Sequence, residues 1–448
     1  LLLLFRLKKE YVLSLITNLK KRRLDFSDTS LSFSDSAASN VLKETLLSKN
    51  RSHVLHAIEL LKFLDKIDPD LHQPLLSLLN HTDPAVRAAA LQFISSEKVH
   101  FPNQKSFERF LADEDEYVRS LAIRAYCSKG RENSITRIEP FLRDNNPVVK
   151  SAAISALIRF GGLDGMLMCA EDLKKMLDSA DSVQRERGAW ILGNIGVQTF
   201  YLPLIPLLAD SDEKVKSAAL AAAGKLLAPP LVPALVDLLG NLRSAPEATK
   251  TLILFGNGIE QILLAAMGDY RLPSKVRSGL PKVLSRIGGK NSIRTLERYI
   301  DHPTVSIREQ ATQALSYMIT LQPGIELDKT RILNCIREEA DLFRHYAAIE
   351  SEIFGNYDKR LLLVEAVAVR RRRVFQRIFG LLELIYPGGV LDNVLENLES
   401  KKPLTRANAA ELLDNVLTPE ERELVLPLAE YRLPKKPSKS AGISYLSE

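Results

Sequence analysis

Apolar positions in this chain fall in short stripes that restart on a nearly constant period. Each stripe follows a turn, then an apolar residue, a basic residue and small residues: HTDPAVRAAAL at 81–91, DEDEYVRSLAI at 113–123, DNNPVVKSAAI at 144–154 and DSDEKVKSAAL at 210–220. Looser copies read SVQRERGAWILG at 182–193, LPSKVRSGL at 272–280 and HPTVSIREQATQAL at 302–315. The first apolar positions are Val86, Val118, Val149, Val215, Val276 and Ile307, with Gln184 in the weak copy, and the steps between neighbours are 32, 31, 35, 31, 61 and 31 residues. The long step is close to two periods and hides a degenerate copy near Ala248. A fixed period of this length predicts an array of stacked units, each packed only on its neighbours.

Each copy accounts for its own local structure. Asp83 and Asn146 suit helix N-caps, because a short side-chain oxygen can accept a free backbone N–H, and Pro84 and Pro147 follow where a missing N–H costs nothing. Val86, Ala89, Ala90, Phe93 and Ile94 then form one apolar stripe at helical spacing, with Arg87 and Gln92 off it. A second apolar segment precedes each phrase: PLLSLLN at 74–80, PFLRD at 140–144, PLIPLLAD at 203–210 and PALVDLLG at 233–240. Two short antiparallel helices per unit follow, with alanines letting the axes come close. The predicted fold is an all-α solenoid of about eight to nine helical pairs.

The repeated phrase resembles the short HEAT-type repeat of bacterial proteins, including the type found in phycobilin lyases, over roughly residues 40–325. LKKEYVLSLITNLKKRRLDF at 7–26 and TRANAAELLDNVL at 405–417 resemble the start and finish of the soluble HEAT-repeat region that follows the membrane part of some bacterial transporter-like proteins, related to nucleotide carriers and the major-facilitator type. That resemblance implies a non-enzymatic scaffold: a cytoplasmic regulatory or docking module, without a cofactor, at the inner face of the membrane. Its partners would be another protein, an anionic membrane surface, or a membrane domain N-terminal to this chain. Helical repeats of this kind serve unrelated functions, so two alternatives stand beside it. A phycobilin-lyase-type protein needs a polar pocket of chromophore size, and a helical-repeat DNA glycosylase needs a basic concave face.

Charge and punctuation divide the chain further. Residues 1–26 carry a net +5 and residues 432–448 a net +3; with +6 for the whole chain, residues 27–431 come to −2. A near-neutral body is a poor match to a phosphate backbone, so nucleic acid is the weaker partner class. The expected organisation is a basic capping or juxtamembrane helix at 1–26, a serine-rich linker at 27–39, the repeat array at 40–325, a helical region at 326–431 ending in a repeat-like pair, and a basic tail at 432–448. Two longer helical patterns are expected between 329 and 386, after Gln322-Pro323-Gly324. The apolar stub from Leu1 to Phe5, followed by Arg6, Lys8 and Lys9, reads either as the cytoplasmic end of a spanning helix or as part of a solenoid cap with Leu3, Leu7, Tyr11, Leu15 and Leu19 on one side. No run of 18 apolar residues is present. Cys127, Cys169 and Cys335 lack paired spacing, which fits a reducing compartment.

Candidate chemistry is sparse. His53 and His56 could share a helical side, but no third ligand has the spacing of a metal site, and His72, His81, His100, His302 and His345 are dispersed. Gly161-Gly162, Gly288-Gly289 and Gly388-Gly389 read as helix ends, since no phosphate-loop or nucleophile motif surrounds them. Trp190, the single tryptophan, falls within an alanine-rich stripe and is expected in the core. The candidate contact residues are therefore basic: Lys8, Lys9, Lys20, Lys21, Arg22 and Arg23 near the start, and the run Arg370, Arg371, Arg372 and Arg373, with Arg377 one turn on. The run is either a solvated face paired with nearby carboxylates or a surface for anionic lipid or an acidic partner.

Overall fold

A computed structural model describes residues 36–431 except 63, 65–66, 96–104, 130–133, 357–360 and 392, and helices are the only regular elements among the described residues. The all-α repeat architecture is as the periodicity predicts. Contacts divide the chain into two compact units, one ending at Ala234 and the other starting at Leu235. The first described helix begins at Ser36, so the end of the serine-rich stretch is helical rather than linker.

In the first unit the repeated phrases form five helices: α1 (Pro84–Ser95), α2 (Glu116–Lys129), α3 (Pro147–Phe160), α4 (Ser182–Ile195) and α5 (Glu213–Leu226). They lie side by side, each against its neighbours in the stack. Their starts follow from the caps: the Asn146 side chain accepts from the Val148 and Val149 amides with Pro147 at the first turn, and Asp181 and Asp212 accept from Val183 and Lys214. Asp83 accepts the Ala85 amide at 2.8 Å. Val86, Val118, Val149 and Val215 are fully buried. The buried face is wider than the predicted stripe. Ala88 and Leu91 join it while Ala89 is only half-buried, because α1 touches a neighbouring helix on each side as well as its own partner helix.

The partner helices are shorter than their apolar segments suggest. His72–Ser77 runs into a 3-10 turn at Leu78–Asn80, Ser134–Ile138 into one at Glu139–Arg143, and Leu204–Leu208 has five residues. Pro74, Pro140 and Pro206 lie within or beside them, and each removes an amide donor that an α-helix would use.

Close approach between repeats depends on small side chains. A Cβ added at Gly193 would lie 2.9 Å from the Ala222 Cα, so α4 and α5 meet nearly backbone to backbone. Ala219 and Ala152 are buried in such contacts, whereas Ser217 on α5 is exposed. Ala219→Leu or Ala152→Leu should overpack the stack and cost roughly 1–3 kcal/mol, while Ser217→Leu should cost far less. Thermal melts that failed to separate the two classes would show that the stripe is misassigned.

The basic residue of each phrase has a structural task. Arg87 donates to both Asp113 oxygens, at 2.9 and 2.7 Å, and its Nη1 donates to the carbonyls of His81 and Thr82 in its own turn. Arg185 repeats the pattern with Asp210 at 2.6 and 2.9 Å and with the carbonyls of Ser179 and Ala180. Each aspartate also accepts an amide of its own turn, from Asp115 and Asp212. One guanidinium thus ties its own turn to the turn of the following repeat. The Arg185 hydrogen bonds outweigh burial and hold the Asp210 carboxyl below the ordinary carboxylate range.

The second unit continues the repeats. Ala248 is buried within Ala245–Leu254, at the position of the degenerate copy, and Val276 and Ile307 are buried like their counterparts. Helix α6 (Val305–Leu321) precedes two long helices, α7 (Lys329–Asn356) and α8 (Leu361–Ile385), which pack along one another. The unit finishes with α9 (Pro403–Val416) and α10 (Pro419–Ala429); α10 packs on α7 and starts with a capping box between Thr418 and Glu421. No single described helix is both long and apolar enough to cross a membrane.

Candidate functional site

The arginine run lies on α8, and a helix turns successive residues about 100° apart. Four consecutive arginines therefore cannot share one face. Arg371 points to α7, where its Nε donates to the fully buried Glu350 at 2.6 Å and its guanidinium lies 5.2 Å from the Phe343 ring and 4.8 Å from the Tyr431 ring. Arg377 donates to Glu339 at 2.7 and 3.0 Å and to Glu309 at 3.3 Å. Glu339 also accepts from Arg308 at 3.0 Å, so one carboxylate joins α6, α7 and α8. Arg372 pairs with Glu399 through its Nε at 2.6 Å and also through its Nη2. Only Arg370 and Arg373 are exposed without a hydrogen bond or ion pair among the described residues. Of the expected four-arginine surface, Arg371 is drawn into the packing against α7, Arg372 stays exposed in a surface ion pair, and Arg370 and Arg373, one turn apart, are exposed and unpaired.

Two clefts flank the helix. One of about 270 Å³ is lined by Arg308, Glu309, Thr312, Glu339, Arg373 and Arg377. The other, about 500 Å³, is lined by Phe343, Arg371, Arg372, Lys401, Arg406 and Tyr431 among others. Along the outer side of α8, Leu362 is 83% and Val369 52% exposed, next to Arg370 and Arg373. Apolar side chains left open at helical spacing beside unpaired cations form an amphipathic face.

Lys8, Lys9, Lys20, Lys21, Arg22 and Arg23 lie outside the described residues. His56 turns its Nδ1 back to the Ser52 carbonyl at 2.6 Å, and among the described residues no group of three His, Cys, Asp or Glu side chains is placed to hold a metal ion. Burial pushes the Cys127 thiol up to about 12, and burial with nearby carboxylates pushes Cys169 and Cys335 up to about 11. At neutral pH these are thiols, and the thiolate is the nucleophile.

Trp190 is not in the core. It is 37% exposed on the outward side of α4. Gly188, Ala189, Ile191 and Leu192 do the packing of that helix. The position six residues after the first apolar site is occupied elsewhere by Gln92, Arg124, Ser155 and Ala221. Gln92, Arg124 and Ala221 are exposed in that column and Ser155 is buried, so the column aligned across repeats favours an exposed indole where a stripe read within one repeat does not. The stacking function of Arg87, Arg185 and Arg308 was likewise legible only as a recurrent basic residue.

No protein-family model matches the chain, and no curated protein matches it. Among solved structures it is similar to the karyopherin Kap121p bound to Nup53p, at 14% identity and a TM-score of 0.39, over 92% of this chain and 48% of that one. Yeast importin-beta (Kap95p) matches at 15% identity and a TM-score of 0.32, over 93% of this chain and 64% of that one. Human deoxyhypusine hydroxylase in complex with glycerol matches at 14% identity and a TM-score of 0.28, over 63% of this chain and 96% of that one. The chain spans about half the length of Kap121p. At these identities and TM-scores the likenesses carry no argument about activity or partner.

Proposed function

We propose that this chain is a non-catalytic protein-interaction scaffold: the cytoplasmic docking module of a transporter-like membrane protein of the kind its end segments resemble. The observation that carries the scaffold half is the outer face of α8, where Leu362 and Val369 stay exposed beside the unpaired Arg370 and Arg373. A partner segment with apolar residues and carboxylates at helical spacing would cover the leucine and valine and neutralise the two arginines. Three buried thiols offer little nucleophilic chemistry in competition with this reading.

The membrane half rests on the basic N-terminal segment. Each of Lys8, Lys9, Lys20, Lys21, Arg22 and Arg23 should add about 1 kcal/mol of attraction to an anionic leaflet, decaying over a Debye length and weakening with salt. Liposome co-sedimentation would compare the full chain, a version with those six positions changed to Gln, and an R370Q/R373Q version, with and without anionic lipid. The expected result is salt-sensitive binding that the six-Gln version loses and the α8 variant keeps. Equal binding by the full chain and the six-Gln version would remove the membrane-linked half.

A further inference from the structure

The cations of the first unit are neutralised by carboxylates at its turns, as Arg87 and Arg185 show, but not on the outward side of α2–α5. There the positions six and ten residues after each repeat's first stripe site are Arg124 and Ser128, Ser155 and Arg159, Trp190 and Asn194, Ala221 and Lys225. None is acidic. Glu186, on α4, lies one turn before Trp190 with Arg187 beside it. Arg159 reaches from α3 to the C-terminal end of α4, where its Nη1 donates to the Ile195 carbonyl at 2.5 Å. Lys225 reaches the same end from α5, donating to Asn194 at 3.0 Å across the close approach at Gly193. Both side chains land about one turn beyond the exposed indole of Trp190. Arg124 makes no hydrogen bond or ion pair among the described residues.

Solvent reaches all three cations, yet burial and then the Arg159 charge pull the Arg124 guanidinium below its ordinary value, and burial and then Arg124 do the same to the Lys225 ammonium. Arg159 and Lys225 meet at the C-terminal end of α4, and Arg124 lies near enough for its charge to act on Lys225 and for the Arg159 charge to act on it. Like charges gathered without a paired carboxylate favour an anion there.

We propose that this cation cluster beside Trp190 binds a phosphate ester carrying a flat base, a nucleotide either free or within a single strand, with Trp190 as the stacking surface and Arg124, Arg159 and Lys225 around the phosphate. An acidic peptide would satisfy the cations and leave the indole unused, whereas a nucleotide uses both. The assignment goes beyond the scaffold reading and is independent of α8. It also revises the expectation drawn from the near-neutral body, because an average over the body conceals a local excess.

Trp190 is the only tryptophan, so its fluorescence reports the site directly. The full chain is titrated with a short oligothymidylate, with adenosine triphosphate and with poly-glutamate, and the same probes, fluorescently labelled, are followed by anisotropy for R124Q/R159Q/K225Q, W190A and the distant control R370Q/R373Q. Expected are quenching by the nucleotide probes, a loss of roughly fivefold to a hundredfold in W190A from lost base stacking, and unchanged binding by the control. For the strand, removing three phosphate contacts should flatten the salt dependence by about 2 in log–log slope. Tighter binding of the strand than of the triphosphate assigns the source as single-stranded nucleic acid, and equal or weaker binding assigns a free nucleotide. Absence of quenching by both, binding indifferent to the triple substitution, or poly-glutamate binding as tight as the nucleotides and indifferent to W190A would each overturn the proposal.

Discussion

Glu339→Ala is expected to destabilise the second unit by about 3–5 kcal/mol, the cost of removing one partner from a buried ion pair. The Glu339 side chain is 7% exposed and accepts from Arg308 through one oxygen and Arg377 through the other, with the two arginine side chains only 19% and 12% exposed. Without the carboxylate both cations stay where they are too enclosed to hydrate fully, and Glu309, at 3.3 Å from Arg377, compensates only one of them. Glu339→Gln should also be costly, since it keeps the shape and loses the charge. Arg372→Ala is the contrast: its pair with Glu399 has an arginine side chain 60% exposed, and such surface pairs contribute about 0–1 kcal/mol. Chemical denaturation followed by circular dichroism ranks the three, because the single tryptophan lies in the other unit. A Glu339→Ala midpoint no lower than that of Arg372→Ala would show that the three-helix junction is not held by this carboxylate.

Phe343→Ala should cost about 3–5 kcal/mol as well, by a different route. Its ring is 1% exposed and meets Phe375 at 5.6 Å and Tyr431 edge-on at 5.8 Å between centroids, with the Arg371 guanidinium over its face. Truncation opens a cavity on the floor of the larger cleft and removes one of the two rings that position Arg371 against Glu350. Hydrogen exchange should therefore accelerate in α10, which packs on α7, before it does in α6. Phe343→Leu, which keeps most of the volume, should lose much less. A loss below about 1 kcal/mol for the alanine variant would place the ring among tolerated surface changes instead.

The α8 arginines show how far local patterning reaches. A run of five charges within eight residues reads as one basic surface, because a sequence lists neighbours along the chain. The helix distributes those side chains around its axis, and what each one meets depends on residues 21 to 68 positions away, as Glu350, Glu399, Glu339 and Glu309 show. Arg370 makes no ion pair among the described residues, and the carboxylates that share a cleft with Arg373, Glu309 and Glu339, are taken up by Arg377 and Arg308.

Amino-acid order by itself determined the helical class, the period, the starts of the repeat helices and the first buried position of every copy except the weak one, where Gln184 is only half-buried, since caps, prolines and stripe spacing act within a few residues of one another. Only the tertiary structure decided which cations are neutralised. Arg87, Arg185 and Arg308 find acids in the next stacked element, while Arg124, Arg159 and Lys225 find none. The same stacking turned Trp190 outward, because an outward face is defined by the repeats on either side of a helix and not by the helix alone.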